Sequence, residues 1–403
     1  MELLRNAVRA YAWGSRTAIA ELLGREVPAP HPEAELWMGA HPGDPSRVVG
    51  PDGGARSLLD LLAEDPDGQL GARCADRWAG RLPFLLKVLA ADEPLSLQAH
   101  PSAEQAARGF AAEDAAGVPI DSPVRNYKDP SAKPELICAL TEFHALAGFR
   151  APERTVALLR ALDAPDLAPY TALLEVQPDS GGLRALFTTL ITLPQTALDV
   201  LLPQVLDACV VHVKEHGEFD MECRTVLELG EAYPGDAGVL AALLLNRLVL
   251  QPGEAIFLPA GNLHAYLHGT GVEILANSDN VLRCGLTPKH VDVPELMRVL
   301  DFSCGDMPVQ RGEQTAPGVW TYRTECPEFE LSRVEVPAGA EVVVDHGGPQ
   351  ILVCTRGRAT LTAGGAPVVL ERGRSVWLPA TDPAVVITSD VSAQLFRATP
   401  GVE

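Results

Sequence analysis

The chain has 403 residues, 47% of them hydrophobic and 21% charged, and a formal net charge of −21. That length implies two or three globular domains with room for a large core. So acidic a balance excludes nucleic acid and an anionic membrane surface as partners, and it admits a phosphorylated substrate only through a local basic pocket.

No apolar run reads as long enough to span a bilayer. The opening MELLRNAVRAYAWG lacks the basic start, apolar stretch and small-residue cleavage site of a signal peptide. The eight cysteines include no C-x-x-C pair, which predicts free thiols and a cytoplasmic protein.

In chain order, residues 1 to 60 mix short strands with helix. Ser15 to Leu23 reads as a short capped helix, 34–41 alternates as a strand, and Ser57 caps a second helix. RLPFLLKVLAADEPLSLQAHP, residues 81–101, gives two apolar runs split near Pro94. In the second run Ser96, Gln98 and His100 alternate, so a strand points all three to one face. Pro101 ends that strand, and Ser102 caps a predicted helix over 103–116. Residues 117–134 read as loop, and strands resume at Glu135 and Phe143.

Over 151–246 Leu and Ala recur at helical spacing, which predicts an all-α insertion. Strand texture returns at Leu248. After a short helix at Pro294 to Leu300, residues 318–403 are short strands split by Gly and Pro turns.

The most informative stretch is VLQPGEAIFLPAGNLHAYLHGTGVEILANSDNVLRCG, residues 249–285. Gly253, Pro259, Gly261 and His264 fall in an order that resembles the second motif of the cupin β-barrel, whose His lies inside the barrel on a metal. The motif's closing Asn is replaced here by His268. Gly373 and Pro379 repeat the rhythm without a following His, which reads as a second, ligand-free barrel. Gln98 and His100 on one strand face, Glu135 and His264 form a plausible metal set. Two imidazoles, a carboxylate and an amide oxygen suit one borderline divalent ion such as zinc, and a single anionic ligand leaves it able to polarise a substrate oxygen.

The series Tyr11-x-Trp13-Gly14, Glu35-Leu-Trp37-Met-Gly39-x-His41-Pro42, Leu82-Pro-Phe-Leu-Leu-Lys87, Leu97-Gln98-Ala-His100-Pro101, Tyr127-Lys128-Asp129, Lys133-Pro134-Glu135 and Asn280-Val-Leu-Arg283-x-Gly285-Leu-Thr-Pro-Lys289 resembles type I mannose-6-phosphate isomerases over nearly the whole length. The resemblance implies zinc on Gln98, His100, Glu135 and His264. It also implies reversible conversion of mannose 6-phosphate to fructose 6-phosphate by proton transfer through a cis-enediol. One departure stands out: Ser131-Ala132 occupies the place where the family commonly has Asn-His, so no catalytic role falls on a His there.

The reaction needs a base for the C1/C2 proton and an electrophile for the oxyanion. Arg283, Lys133, Glu273 and Asp279 are the catalytic candidates; Ser96, Lys87, Tyr266 and Arg283 are those for binding substrate. Alone, Arg283 reads as a surface ion pair; the resemblance places it at the mouth of the site. Lys133 faces the same side as Glu135 in an extended chain, or is a solvated loop residue. Lys87 sits in a very apolar strand and needs a partner. Glu273 can serve as acid or base, or be a strand-end charge. Asp279 can assist ring opening or only support a neighbour. Tyr266 shares the face of His264. Trp13 and Trp37 read as core; His41, His144 and His290 as structural or surface.

The expected architecture is mainly β with a helical insertion: two cupin-type, jelly-roll-like barrels and an all-α subdomain. The barrel with the metal takes residues 1–150 and 247–300, the insertion 151–246, and the ligand-free barrel 301–403. The expected protein is a monomeric isomerase that takes a phosphorylated hexose. A cupin oxygenase would carry a compact His-x-His with a nearby Glu, which is absent. A sugar-binding cupin without catalysis would not need the ligand set.

Overall fold

At 13 residues, the His264–Ala276 strand pairs with two different groups of neighbours. Its first part pairs with Leu97–Ala99 and Phe143–Phe149; its second part pairs with Phe84–Ala91 and Glu135–Ala139. The register shifts between Tyr266 and His268. In an unbroken strand His264 and Glu273 would face opposite sides, because they lie an odd number of residues apart. The irregularity restores a common face for both. Gly269 sits just beyond it at φ 117°, where a Cβ would meet the Glu142 carbonyl.

The computed structural model describes residues 1–50, 53–345 and 347–401. It is mainly β, with antiparallel pairing in three sheets of 11, 9 and 4 strands. One face of the 9-stranded sheet packs against the 11-stranded sheet, with Leu331, Ile351, Trp377 and Phe396 against Leu36, Leu86, Leu136 and Ile274. Its other face packs on the 4-stranded sheet through Val334, Leu352, Val376 and Leu395 against Val342, Leu361 and Ile387. Alternating side chains along the shared strands supply both cores.

From Pro152 to Ala242 the described elements are helical. Their leucines pack on the outer side of the short strands, against Leu97, Ala99, Leu146, Leu263 and Ala265. Gln98 and His264 are thereby left for the inner side. Ala99, expected to point away from the ligands, is fully buried under these helices.

The predicted elements hold with shifted ends. The first helix is Ala18–Leu22, the second is Leu58–Glu64 behind Ser57, and the last is Val293–Val299 behind Asp292. Ser102 and Gln105 form a reciprocal capping box at the start of Ala103–Ala115. Strand structure covers only Leu97–Ala99, so Ser96 and His100 flank it.

Two findings depart from expectation. Helix Gln195–Lys214 is long and apolar enough, by length and composition, to cross a membrane. It has Pro203 inside it, and its Leu198, Leu201, Leu202, Val205 and Cys209 are buried in the helical core. The N-terminal segment is also shared between sheets. Glu2–Arg5 pairs with Ser375–Leu378, and Arg47–Val49 pairs with Glu2–Arg5 in turn. The sheet of C-terminal strands would otherwise end in an open edge there.

Candidate metal centre

Gln98 stands opposite His264 on one side and Arg283 on the other in the antiparallel ladder. Directly opposed residues share a face, so these three side chains rise from one surface. His100 follows one turn of the pleat later, and its carbonyl accepts from the Gly261 amide at 2.8 Å. Gly261, at φ 79°, lies so close to Val299 and Asp301 that a Cβ would not fit. The Pro259-Ala260-Gly261 turn thus ties the backbone of one histidine to the approach to the other.

The ligand atoms converge. His100 Nε2 lies 3.3 Å from Glu135 Oε1, and His264 Nε2 lies 3.5 Å from Glu135 Oε2. The nitrogens and oxygen of this trio fall within 4.8 Å of one another, and all three residues are buried. Each ring is turned by its other nitrogen: His100 Nδ1 is 2.7 Å from the Asn280 carbonyl, and His264 Nδ1 is 3.0 Å from the Asn262 carbonyl. A carbonyl only accepts, so both rings carry their proton on Nδ1 and aim a lone pair inward from Nε2. His100 Nε2, His264 Nε2 and Glu135 Oε2 are buried without a hydrogen-bond partner. Orphaned acceptors converging in this way are costly unless a cation joins them. The donor set therefore fits one divalent ion, with Gln98 beside it on the same face.

Burial pushes the His100 imidazole down to about 4, so it stays neutral. Burial alone would raise Glu135, but the Lys133 ammonium beside it helps to hold it well below the usual carboxylate range. Lys133 Nζ lies 3.2 Å from Glu135 Oε1, so Lys133 is held at the centre, not in solvent.

Next to this trio runs a buried ion network. Glu273 and Lys87 are opposed across the sheet, with Nζ 3.4 Å from Oε2. Lys87 also lies 3.3 Å from Glu35, whose other oxygen accepts from Trp37 Nε1 at 2.8 Å. Burial works against the Lys87 charge, yet Glu35 and Glu273 outweigh it and raise its pKa. For Glu273 burial dominates, with Glu135 and Glu35 adding to it, and lifts the carboxyl to about 7 against the pull of Lys87. Tyr266 is buried beside this network, and burial with the nearby carboxylates raises its phenol.

Arg283 is half-buried, and burial lowers its pKa. It makes no hydrogen bond or ion pair through its side chain among the described residues. Asp279 lies farther out: its side chain is 58% exposed and bonds His41 at 3.3 Å, and His41, with Lys133 and Lys87 adding, holds its carboxyl low. Ser96 is half-buried at the head of its strand, and no side-chain bond draws it to the trio. Trp37 and Trp13 pack as core, as expected.

Two contributors, Glu35 and Asn280, escaped the sequence reading. Glu35 partners Lys87. His41 is the structural case of its two expected readings, buried and bonded to Asp279. Asn280 is fully buried, and its amide clamps the preceding loop: Oδ1 accepts from Lys128 N at 2.7 Å, and Nδ2 donates to the Asp129 and Ser131 carbonyls. Its own carbonyl orients His100. The one signal for Asn280 was its place beside Arg283 in a familiar motif.

A β scaffold closing over a buried His–Glu–His set defines a metal-binding β protein. Residues 1–152 match the family model for the catalytic domain of type I phosphomannose isomerase. The chain is 40% identical to the mannose-6-phosphate isomerase of Escherichia coli over 396 residues, 96% of this chain and 97% of that one. It superposes with TM-score 0.90 and 36% identity on a variant phosphomannose isomerase from Salmonella typhimurium, covering 100% of each chain. It does so equally on a zinc-bound mannose 6-phosphate isomerase, at 36% identity and TM-score 0.90, covering 100% of this chain and 99% of that one. The chain belongs to the type I phosphomannose isomerase family.

Proposed function

We propose that this protein interconverts mannose 6-phosphate and fructose 6-phosphate, with one zinc ion held by Gln98, His100, Glu135 and His264. The observation that carries the reading is the convergence of three orphaned buried ligand atoms beside the Lys87–Glu273 pair. Bound there, zinc supplies Lewis-acid stabilisation of negative charge on a sugar oxygen.

The residues of the chain divide the remaining work. Glu273, lifted to about 7, is poised to take a proton from C2 or C1 and return it to the other carbon of a cis-enediol. Lys87 holds that carboxyl in place and offsets its charge. Lys133 adds positive potential where the oxyanion forms. Arg283 has a free guanidinium fork for the phosphate or the oxyanion, on the face shared with Gln98. Ser96 supports phosphate binding at the rim, Tyr266 walls the interior, and Asp279 with His41 stands at the mouth for ring opening.

The finer architecture is part of this proposal. The strand group sharing His264–Ala276 supports a cupin-type barrel, and the strands facing each other across the smaller sheet support a second, ligand-free one. The helices between Pro152 and Ala242 form the all-α subdomain expected over 151–246, whose last two residues, 245 and 246, already belong to the strand Leu245–Leu250. The metal barrel takes 1–150 and 247–300, and the second takes 301–403, with the N-terminal strands lent across the boundary. Eight free cysteines support a cytoplasmic setting. The protein acts as a monomer on a phosphorylated hexose, without nucleic acid or membrane.

The test is isomerisation of mannose 6-phosphate before and after chelation, with zinc restored. Activity lost to the chelator and regained with zinc is expected. Activity indifferent to complete metal removal overturns the metal assignment, and none in zinc-loaded folded protein overturns the substrate.

A further inference from the structure

The two large sheets pack through an apolar core, but at one end their seam opens into a cavity of about 430 Å³. On the C-terminal side it is lined by Arg333, Glu335, Arg356, Arg372, Thr355 and Gln394. On the other side lie Ala139, Leu140 and the Pro252-Gly253 turn. Ala139 is four residues beyond Glu135 on its strand, about 13 Å at ordinary strand rise, so this cavity is separate from the metal centre.

The charge here opposes that of the molecule. Glu335 is opposed to Gln394 across the sheet, and Gln394 to Arg356. A single carboxylate therefore serves two guanidiniums: Glu335 lies 3.5 Å from Arg333 and 3.1 Å from Arg356, and it also accepts from Gln394 at 2.7 Å. Arg372 donates to the Glu21 carbonyl at 2.6 Å and makes no ion pair among the described residues. Three arginines against one glutamate leave two positive charges around this cavity, in a chain of net −21. Arg333 Nε faces Glu335 Oε1 at 3.5 Å without forming a hydrogen bond, and its guanidinium lies over the Trp320 ring at 5.3 Å. One carboxylate shared between two guanidiniums leaves each incompletely paired, and a polar cavity with surplus positive charge answers them best with an anion.

We propose that this seam is a second anion site, which takes the phosphate dianion of a small molecule. Arginine forks match phosphate oxygens in pairs, and Arg356 and Arg372 at the rim with Arg333 behind them provide three such forks. The apolar wall of Ala139, Leu140 and Pro252 leaves space for a small organic residue on the phosphate. The site stands on its own and does not depend on the isomerase reading.

The experiment is calorimetric titration of the zinc-loaded full chain with inorganic phosphate, with Trp320 emission as a local reporter. Arg356→Glu/Arg372→Glu alters only exposed side chains and is the partner variant. The wild type should bind two equivalents, one of them at the catalytic centre. The variant should weaken the other at least about tenfold, with KM and kcat for the hexose phosphate unchanged. A second variant, Arg333→Gln, should lose the Trp320 response. Equal phosphate stoichiometry and affinity in wild type and Arg356→Glu/Arg372→Glu overturns the proposal. So does a lost equivalent accompanied by a raised KM, which would place it at the catalytic centre. Glycerol phosphate separates the sources. Displacement of phosphate at lower concentration identifies a phosphomonoester, weaker competition identifies the free ion, and no seam binding of either overturns the site.

Discussion

Lys87 and Glu273 face each other directly across two antiparallel strands, with Nζ 3.4 Å from Oε2 and both side chains almost wholly buried. Glu273 is nonetheless lifted to about 7, because burial outweighs the ammonium. A carboxyl raised in the folded chain keeps a proton that the unfolded chain releases. Its contribution to stability therefore falls as pH rises from 4.5 to about 7, and it is flat above that. In the proposed reaction catalysis runs the other way, since Glu273 acting as base must be ionised. kcat/KM should rise with pH through an acid limb near 7. Replacing Lys87 by Met removes the group that pulls Glu273 down, so the limb should move to higher pH. A limb that stays in place in Lys87→Met would show that Glu273 is not the titrating group.

The same substitution has a structural cost. Lys87 answers two buried carboxylates, Glu35 and Glu273. Removing one member of a buried ion network costs about 3–5 kcal/mol, because the survivors are left uncompensated. Lys87→Met should lose about that much in denaturant unfolding, and adding Glu273→Gln should restore part of it. Strict additivity of the two losses would argue against a shared network.

Glu135→Ala removes the carboxylate that both imidazoles approach. The variant should retain no stoichiometric zinc, by metal analysis, and should show no isomerase activity. Zinc binding to the folded wild type should raise its melting temperature, by mass action, and chelation should lower it. In Glu135→Ala both responses should vanish. A chelator response of the same size in the variant would place the metal elsewhere.

The convergence of His100, Glu135 and His264 was legible, with Gln98 proposed beside them, because each sits in strong local punctuation. Gln98 and His100 alternate before Pro101, Glu135 follows Lys133-Pro134, and His264 follows Pro259-Ala260-Gly261. What eluded reading depends on partners distant in the chain. Glu35 meets Lys87 across 52 positions, and Ser375 receives the N-terminal strand across the whole fold. Strand alternation says which face a residue takes but not which strand lies beside it. The shift near Gly269 was hidden too: a strict alternation over 264–276 would have placed His264 and Glu273 on opposite faces, yet the ladder brings them together. For Asp279 the sequence left ring opening and support of a neighbour open, and its bond to His41, 238 positions away, could not be read from it.

Asn280 supports the centre from behind. Its amide holds the loop that delivers Lys133 and Glu135, with bonds to Lys128, Asp129 and Ser131. Asn280→Ala leaves those backbone groups unanswered in a fully buried place, so about 1–3 kcal/mol of stability should be lost. Zinc affinity should also fall about 10–100-fold, the usual effect of disturbing groups that orient metal ligands. Competition with a zinc chelator measures it. Unchanged affinity with reduced stability would confine Asn280 to folding.

Arg283 stands opposite Gln98, half-buried, with no carboxylate among the described residues to answer its charge. A cation so placed awaits an anion, and either the phosphate or the forming oxyanion can supply it. The two roles separate in kinetics. If the guanidinium grips the phosphate equally in ground and transition states, Arg283→Ala raises KM with little change in kcat; if it meets the oxyanion, kcat falls. The register with Gln98, itself opposite His264, puts Arg283 on the ligand face, so the larger effect should fall on kcat. We expect a loss of about 10²–10³-fold, the range for removal of one oxyanion donor. Arg283→Lys keeps the charge but loses the planar fork, so it should recover only part of that loss. A pure KM effect in Arg283→Ala would assign this residue to the phosphate and leave Lys133, 3.2 Å from Glu135, as the cation nearest the oxyanion.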